Sequence, residues 1–64
     1  MSPTGIIPEE FMDPRRKKDV LAFLIQAPAE RKFKAQLLLG WAQEVGLRLR
    51  QRDYDAVMAT AIDN

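Results

Sequence analysis

Basic side chains carry most of the chemistry that this sequence could perform. Seven of the ten Lys and Arg residues fall into two groups, which are Arg15, Arg16, Lys17 and Lys18, and Arg48, Arg50 and Arg52. Lysine and arginine side chains both bind phosphate groups, and arginine often does so through two parallel N–H···O hydrogen bonds. The two groups therefore predict a phosphate-binding surface, although runs of this kind are also typical of a solvated helix face.

Much other chemistry is excluded by residues that the sequence lacks. The chain contains no His and no Cys, and Ser2 is its single serine. Catalytic triads, Cys–His pairs and zinc sites built from imidazole or thiolate are therefore impossible. Asp53 and Asp55 form a carboxylate pair, but so short a chain offers little pocket in which to tune a pKa. We expect a protein that is not an enzyme, with no cofactor, no metal ion and no small-molecule substrate.

Length and composition indicate one small globular domain. The 64 residues are 47% hydrophobic and 30% charged, which is typical of a folded chain. A chain this short buries only about 60% of its unfolded surface and has no disulfide to support it, so tight packing or association must stabilise it. No apolar run approaches the roughly 18 residues of a membrane span, and the first residues do not resemble a secretory signal. We therefore expect a cytoplasmic protein without a membrane partner.

The hydrophobic pattern predicts the helices that must position the basic groups. Apolar residues recur every four positions from Phe33 to Val45, which predicts a helix over residues 29–45 that Gly46 ends. The Asp13-Pro14 pair is a strong helix start and predicts a helix over residues 14–26. A third helix is predicted over residues 52–62.

The predicted fold is all-α, a small three-helix bundle. Residues 14–64 form its single helical domain, and residues 1–13 form an N-terminal arm with a short helical turn after Pro8. Residues 47–52 should be an extended connection with leucines inward and arginines toward water. The predicted core is Val20, Leu24, Phe33, Leu37, Leu38, Trp41, Val45, Leu49, Tyr54, Val57 and Met58.

Charge is segregated along the chain. All ten Lys and Arg residues lie within residues 15–52, whereas residues 1–14 and 53–64 carry only acidic charges, and the net charge is +1. An acidic–basic–acidic chain can fold its ends against its own middle or present a polar surface to a partner.

The favoured function is a non-catalytic protein–protein interaction module, a regulator or an assembly subunit. It would bind another protein, itself, or both, because the second helix carries apolar residues on more than one side. Trp41 belongs to the contact only if it is not in the core. The candidate protein-binding residues are Ile6, Ile7, Phe11, Leu39 and Trp41.

The alternative function is a nucleic-acid-binding module with a helix-turn-helix-like arrangement. Ala42, Gly46 and Leu47 match the small residue, the turn glycine and the apolar position of that motif. The second basic group would then lie at the start of the DNA-contacting helix. Arg52, however, occupies a position where the motif expects an apolar residue, and Asp53 next to it would repel phosphates.

Overall fold

Three α-helices preceded by two 3₁₀ helices make up the fold in a computed structural model that describes residues 8–62. The 3₁₀ helices span Glu9–Phe11 and Pro14–Arg16, and the α-helices are α1 (Lys17–Gln26), α2 (Arg31–Val45) and α3 (Gln51–Ala59). The predicted all-α three-helix bundle is thereby confirmed, including its short N-terminal turn.

Two of the predicted helix ends are set by local hydrogen bonds. The Asp13 side chain accepts a 2.9 Å bond from the Arg15 backbone N–H, so the Asp13-Pro14 pair does start a helix, although its first turn is 3₁₀. At the end of α2, Gly46 has a φ of 70°. The Leu47 N–H donates to the Ala42 carbonyl at 2.9 Å, and the Gly46 N–H donates to the Gln43 carbonyl at 3.3 Å. These bonds form a Schellman motif, which turns the chain sharply toward α3.

The third helix is shorter than predicted because the chain leaves it to bond elsewhere. It ends at Ala59, and the Ile62 N–H donates to the Ala29 carbonyl at 2.9 Å. The C-terminal residues that the structure describes are thus tied to the connection between α1 and α2.

The core draws on all three helices. Trp41 is its largest member, and its indole Nε1–H donates a 2.6 Å hydrogen bond to the Phe11 carbonyl, which holds the first 3₁₀ helix against α2. The buried apolar residues are Val20, Leu24, Leu37, Leu38, Trp41, Ala42, Val57 and Met58. Seven of these were predicted. Val45, Leu49 and Tyr54 are partly buried against them.

Phe33 does not belong to the core, contrary to prediction. Its side chain is 42% exposed, whereas the next residue, Lys34, is fully buried. Successive residues of an α-helix project about 100° apart, so the stripe that includes Lys34 and Leu38 turns Phe33 outward.

The fully buried Lys34 contacts the ends of both other α-helices. Its ammonium Nζ donates to the Thr60 hydroxyl at 2.8 Å, the Thr60 carbonyl at 3.3 Å and the Ile25 carbonyl at 3.5 Å. Ile25 lies in the last turn of α1, and Thr60 is the C-cap of α3. Carbonyls at helix C-termini lack intrahelical partners and carry partial negative charge. One ammonium therefore caps two helices.

Lys34→Met should lower the free energy of unfolding by about 2–3 kcal/mol, because charge-assisted hydrogen bonds are lost while the apolar stem is kept. Urea denaturation measures this change. Lys32→Met, an exposed lysine on the same helix, is the matched control and should change the value by less than about 0.5 kcal/mol. Equal small effects of the two substitutions would show that the ammonium does not hold the bundle together.

Candidate functional site

The first basic group is largely neutralised within its own segment. Arg15 Nη2 lies 2.9 Å from Asp13 Oδ2, and Arg16 Nε lies 3.0 Å from Asp19 Oδ2. The hydrogen bonds from Arg15 hold the pKa of Asp13 below its ordinary value. The Arg16 guanidinium also lies over the Phe11 ring, 4.9 Å from its centroid, in a cation–π contact. Exposed pairs of this kind add little stability, but they reduce the positive charge available to a phosphate.

Lys17 is committed to a contact between helices. Its Nζ lies 2.7 Å from Asp53 Oδ2, and the two side chains are only 28% and 16% exposed. This ion pair joins the start of α1 to the first turn of α3. The Lys17 ammonium lowers the pKa of Asp53, although burial acts in the opposite direction. Lys18 is exposed and is the one member of the first group that forms no ion pair within residues 8–62.

The second basic group remains open to solvent. Arg48, Arg50 and Arg52 are exposed, and none of them forms an ion pair with another residue in the part of the chain that the structure describes. Leu47 and Leu49 alternate with them and pack partly against the core, as predicted. The predicted connection is correct as far as Arg50, whereas Gln51 and Arg52 already belong to α3. The nearby acids have other partners, since Asp53 bonds to Lys17 and Asp55 accepts a 2.9 Å bond from Gln51.

The way in which α2 is followed by α3 does not match the spacing of a helix-turn-helix motif. Residues 47–50 have no regular secondary structure before α3 begins at Gln51, and Arg52 is exposed at the position where the motif places an apolar residue. The arginines therefore form a row along a connection and the start of a helix.

A shallow cavity of about 170 Å³ opens where α2 faces this connection. Leu39 borders it from α2 and is 51% exposed, while the other lining residues come from the connection and α3. We call this cavity the Leu39 groove, and its lining residues are Leu39, Leu49, Arg50, Gln51 and Tyr54. The groove combines apolar surface with one unpaired guanidinium.

The structure separates the predicted protein-binding residues. Trp41 is fully buried in the core, as predicted, and by the condition stated above it does not belong to the contact surface. Phe11 is half-buried beside it, and Ile6 and Ile7 lie outside the described residues. Leu39 projects about 160° around α2 from Trp41, because the two residues are two positions apart on the helix. Only Leu39 among the described candidates is well exposed.

Sequence reasoning missed the contribution of Leu49, Gln51 and Tyr54 to an exposed surface. Leu49 and Tyr54 were expected in the core, yet both are only partly buried and line the groove. The sequence contained one weak indication of this exposed surface, because Leu39 lies off the main apolar stripe of its helix. Other exposed large apolar residues are Phe23, Phe33 and Ile62, and the Leu39 groove does not include them.

Other kinds of site find no support in residues 8–62. No group of three or more acidic, His or Cys side chains there is placed to hold a metal ion. Within the same residues, no helix has the length and apolar character needed to cross a bilayer. Comparison with family models, curated proteins and solved structures finds no match to this chain.

Asp53→Asn should lower the free energy of unfolding by about 1 kcal/mol at pH 7, because the partly buried Lys17 loses its counter-charge. The folded-state pKa of Asp53 is depressed below 3.8. The stabilisation is therefore present above about pH 4 and is lost as the pH falls through the folded-state value. Urea unfolding of wild type and variant between pH 7 and about pH 2 measures the difference, which should shrink toward zero in acid.

Asp55→Asn is the control for this titration, because Asp55 is exposed and bonds only to Gln51 among the described residues. It should change the free energy of unfolding by less than about 0.5 kcal/mol at pH 7. A difference between wild type and Asp53→Asn that stays constant into acid would contradict a stabilising ionised Asp53.

Proposed function

We propose that this chain is a small non-catalytic protein–protein interaction module of the cytoplasm, acting as a regulator or an assembly subunit. The Leu39 groove is its contact surface. The observation that carries this proposal is that Leu39 is 51% exposed beside a cavity, whereas the core closes without it. An exposed leucine alone is ordinary, but a cavity that also includes Tyr54 and Arg50 has the residue types that are enriched at protein interfaces.

The small size of the core supports the same proposal. Eight apolar residues are buried in the described part of the chain, and no disulfide adds to them because the sequence has no Cys. Chains of this length commonly gain stability from association. A partner that covers Leu39 and Leu49 would extend the apolar surface removed from water.

The sequence also supports a non-catalytic role. Without His or Cys, a nucleophile would lack its usual base, and three of the carboxylates are held by cations. These are Asp13, Asp19 and Asp53.

A second candidate function is binding of a nucleic-acid backbone. The observation that favours it is the row of exposed arginines at positions 48, 50 and 52, which form no ion pair with any residue from 8 to 62. The pairing of Arg15, Arg16 and Lys17 weakens it, because these residues would have to exchange an internal carboxylate for a phosphate.

A photo-crosslinking amino acid at position 39 should form discrete protein adducts when cells of the source organism that produce the chain are irradiated. The same amino acid at position 44 is the control, since Glu44 is exposed on the same helix about 140° from Leu39. Leu39→Ala should leave the helical circular dichroism unchanged and weaken association. Absence of adducts at position 39, or identical adducts at both positions, would refute the groove as a contact surface.

Binding to a nucleic-acid backbone can be recognised because its affinity falls as the salt concentration rises. If three arginines contact phosphates, affinity for labelled single-stranded RNA or duplex DNA should fall roughly 20- to 40-fold between 50 and 200 mM salt. Fluorescence anisotropy measures this. Arg48→Gln combined with Arg50→Gln should flatten the dependence, whereas Lys32→Gln should leave most of it. No binding at 50 mM salt would remove this second candidate.

A further inference from the structure

We propose that the occupant of the Leu39 groove is the N-terminal segment of a second copy of this chain, residues 6–10. The inference rests on the proposed function and names its partner. The contact would pair an apolar, acidic segment with an apolar, basic groove.

No carboxylate lines the groove, and the nearby Asp55 is bonded to the lining residue Gln51. Arg50 lines the cavity, and Arg48 and Arg52 flank it in the chain. None of the three has an ion-pair partner within residues 8–62, and the closest acids in the sequence, Asp53 and Asp55, are bonded to Lys17 and Gln51. An acidic ligand with an apolar anchor would satisfy both parts of this surface.

Residues 6–10 have that chemistry. In the sequence, two isoleucines are followed by Pro8, Glu9 and Glu10, and no base occurs before Arg15. Glu9 and Glu10 are exposed, and neither forms an ion pair with another described residue. The other glutamates match the groove less well. Glu30 is next to the basic Arg31, and Glu44 has no second acidic residue beside it.

Within one copy, the described part of the segment is anchored on the side of α2 that carries Trp41. The first 3₁₀ helix is anchored by the bond from Trp41 Nε1 to the Phe11 carbonyl and by the Arg16 guanidinium over the Phe11 ring. Since Trp41 and Leu39 project about 160° apart on α2, Glu9 and Glu10 are held away from the groove. A second molecule has no such restriction.

The segment and the groove are different surfaces of the chain, so the contact joins the segment of one copy to the groove of another, either head to tail or reciprocally in a dimer. Such an interface has two different halves. A variant that lacks only one half should therefore be complemented by a variant that lacks only the other.

Sedimentation equilibrium of the full chain tests the inference. Wild type should show an average mass that rises with protein concentration and falls with added salt. A groove variant, Leu39→Asp with Arg50→Glu, and a segment variant, Ile6→Asp with Ile7→Asp, should each lose at least about tenfold in association constant. Both groups of residues lie away from the buried core or outside the described residues, and circular dichroism checks that each variant is folded.

Mixing the two variants is the decisive step. At a protein concentration at which each variant alone is monomeric, the intact segment of the groove variant should occupy the intact groove of the segment variant and give a 1:1 complex. Glu9→Arg with Glu10→Arg, mixed with Arg48→Glu and Arg50→Glu in a second chain, should associate as well, because both signs of charge are reversed together.

Two results would overturn the inference. A wild-type chain that stays monomeric at about 1 mM, where even weak association with a free energy near −4 kcal/mol is visible, would exclude a second copy as occupant. Crosslinking at position 39 to other proteins would still support the proposed function in that case. Association that survives in both variants would place the self-contact elsewhere and, together with no adducts at position 39, would remove the proposed function too.

Discussion

The arrangement of the bundle depends on one buried ammonium group. Lys34 lies on the core-facing stripe of α2 and donates hydrogen bonds to Ile25 and Thr60, at the C-terminal ends of the two other helices. Both ends present carbonyl groups that their own helices cannot satisfy, and both carry the negative part of a helix dipole. A single cation on the middle helix therefore holds α1 and α3 at one end of the molecule. The chain has no disulfide, and this electrostatic contact takes the role of a covalent crosslink between the helices.

The opposite ends of the same two helices are joined by an ion pair. Lys17 at the start of α1 reaches Asp53 in the first turn of α3, where a carboxylate also suits the positive end of the helix dipole. The two cations, Lys34 and Lys17, thus connect α1 and α3 near both their ends. Both lysines therefore stabilise the packing of the helices and do not add to the basic surface.

This use of charge divides the basic residues into a structural set and a free set. Arg15 and Arg16 pair with acids two and three residues away, so their run neutralises itself locally. Arg48 and Arg50 follow the Schellman turn at Gly46, which leads into a connection whose leucines face the core and whose arginines face water. The same turn brings Leu49 close to α2 beside Leu39, and the groove results.

The sequence alone was sufficient to predict the all-α class, the ends of α1 and α2 at Gln26 and Val45, and most of the core, because these follow from apolar periodicity and capping residues that act over a few positions. It did not identify the buried role of Lys34, since lysine is rarely buried and the acceptors at Ile25 and Thr60 are distant in sequence. Tertiary structure decided the pairing between helices and left Arg48, Arg50 and Arg52 without an ion pair among residues 8–62. Ion pairing between helices, such as Lys17 with Asp53, depends on how the helices are rotated against one another, and no local pattern encodes that rotation.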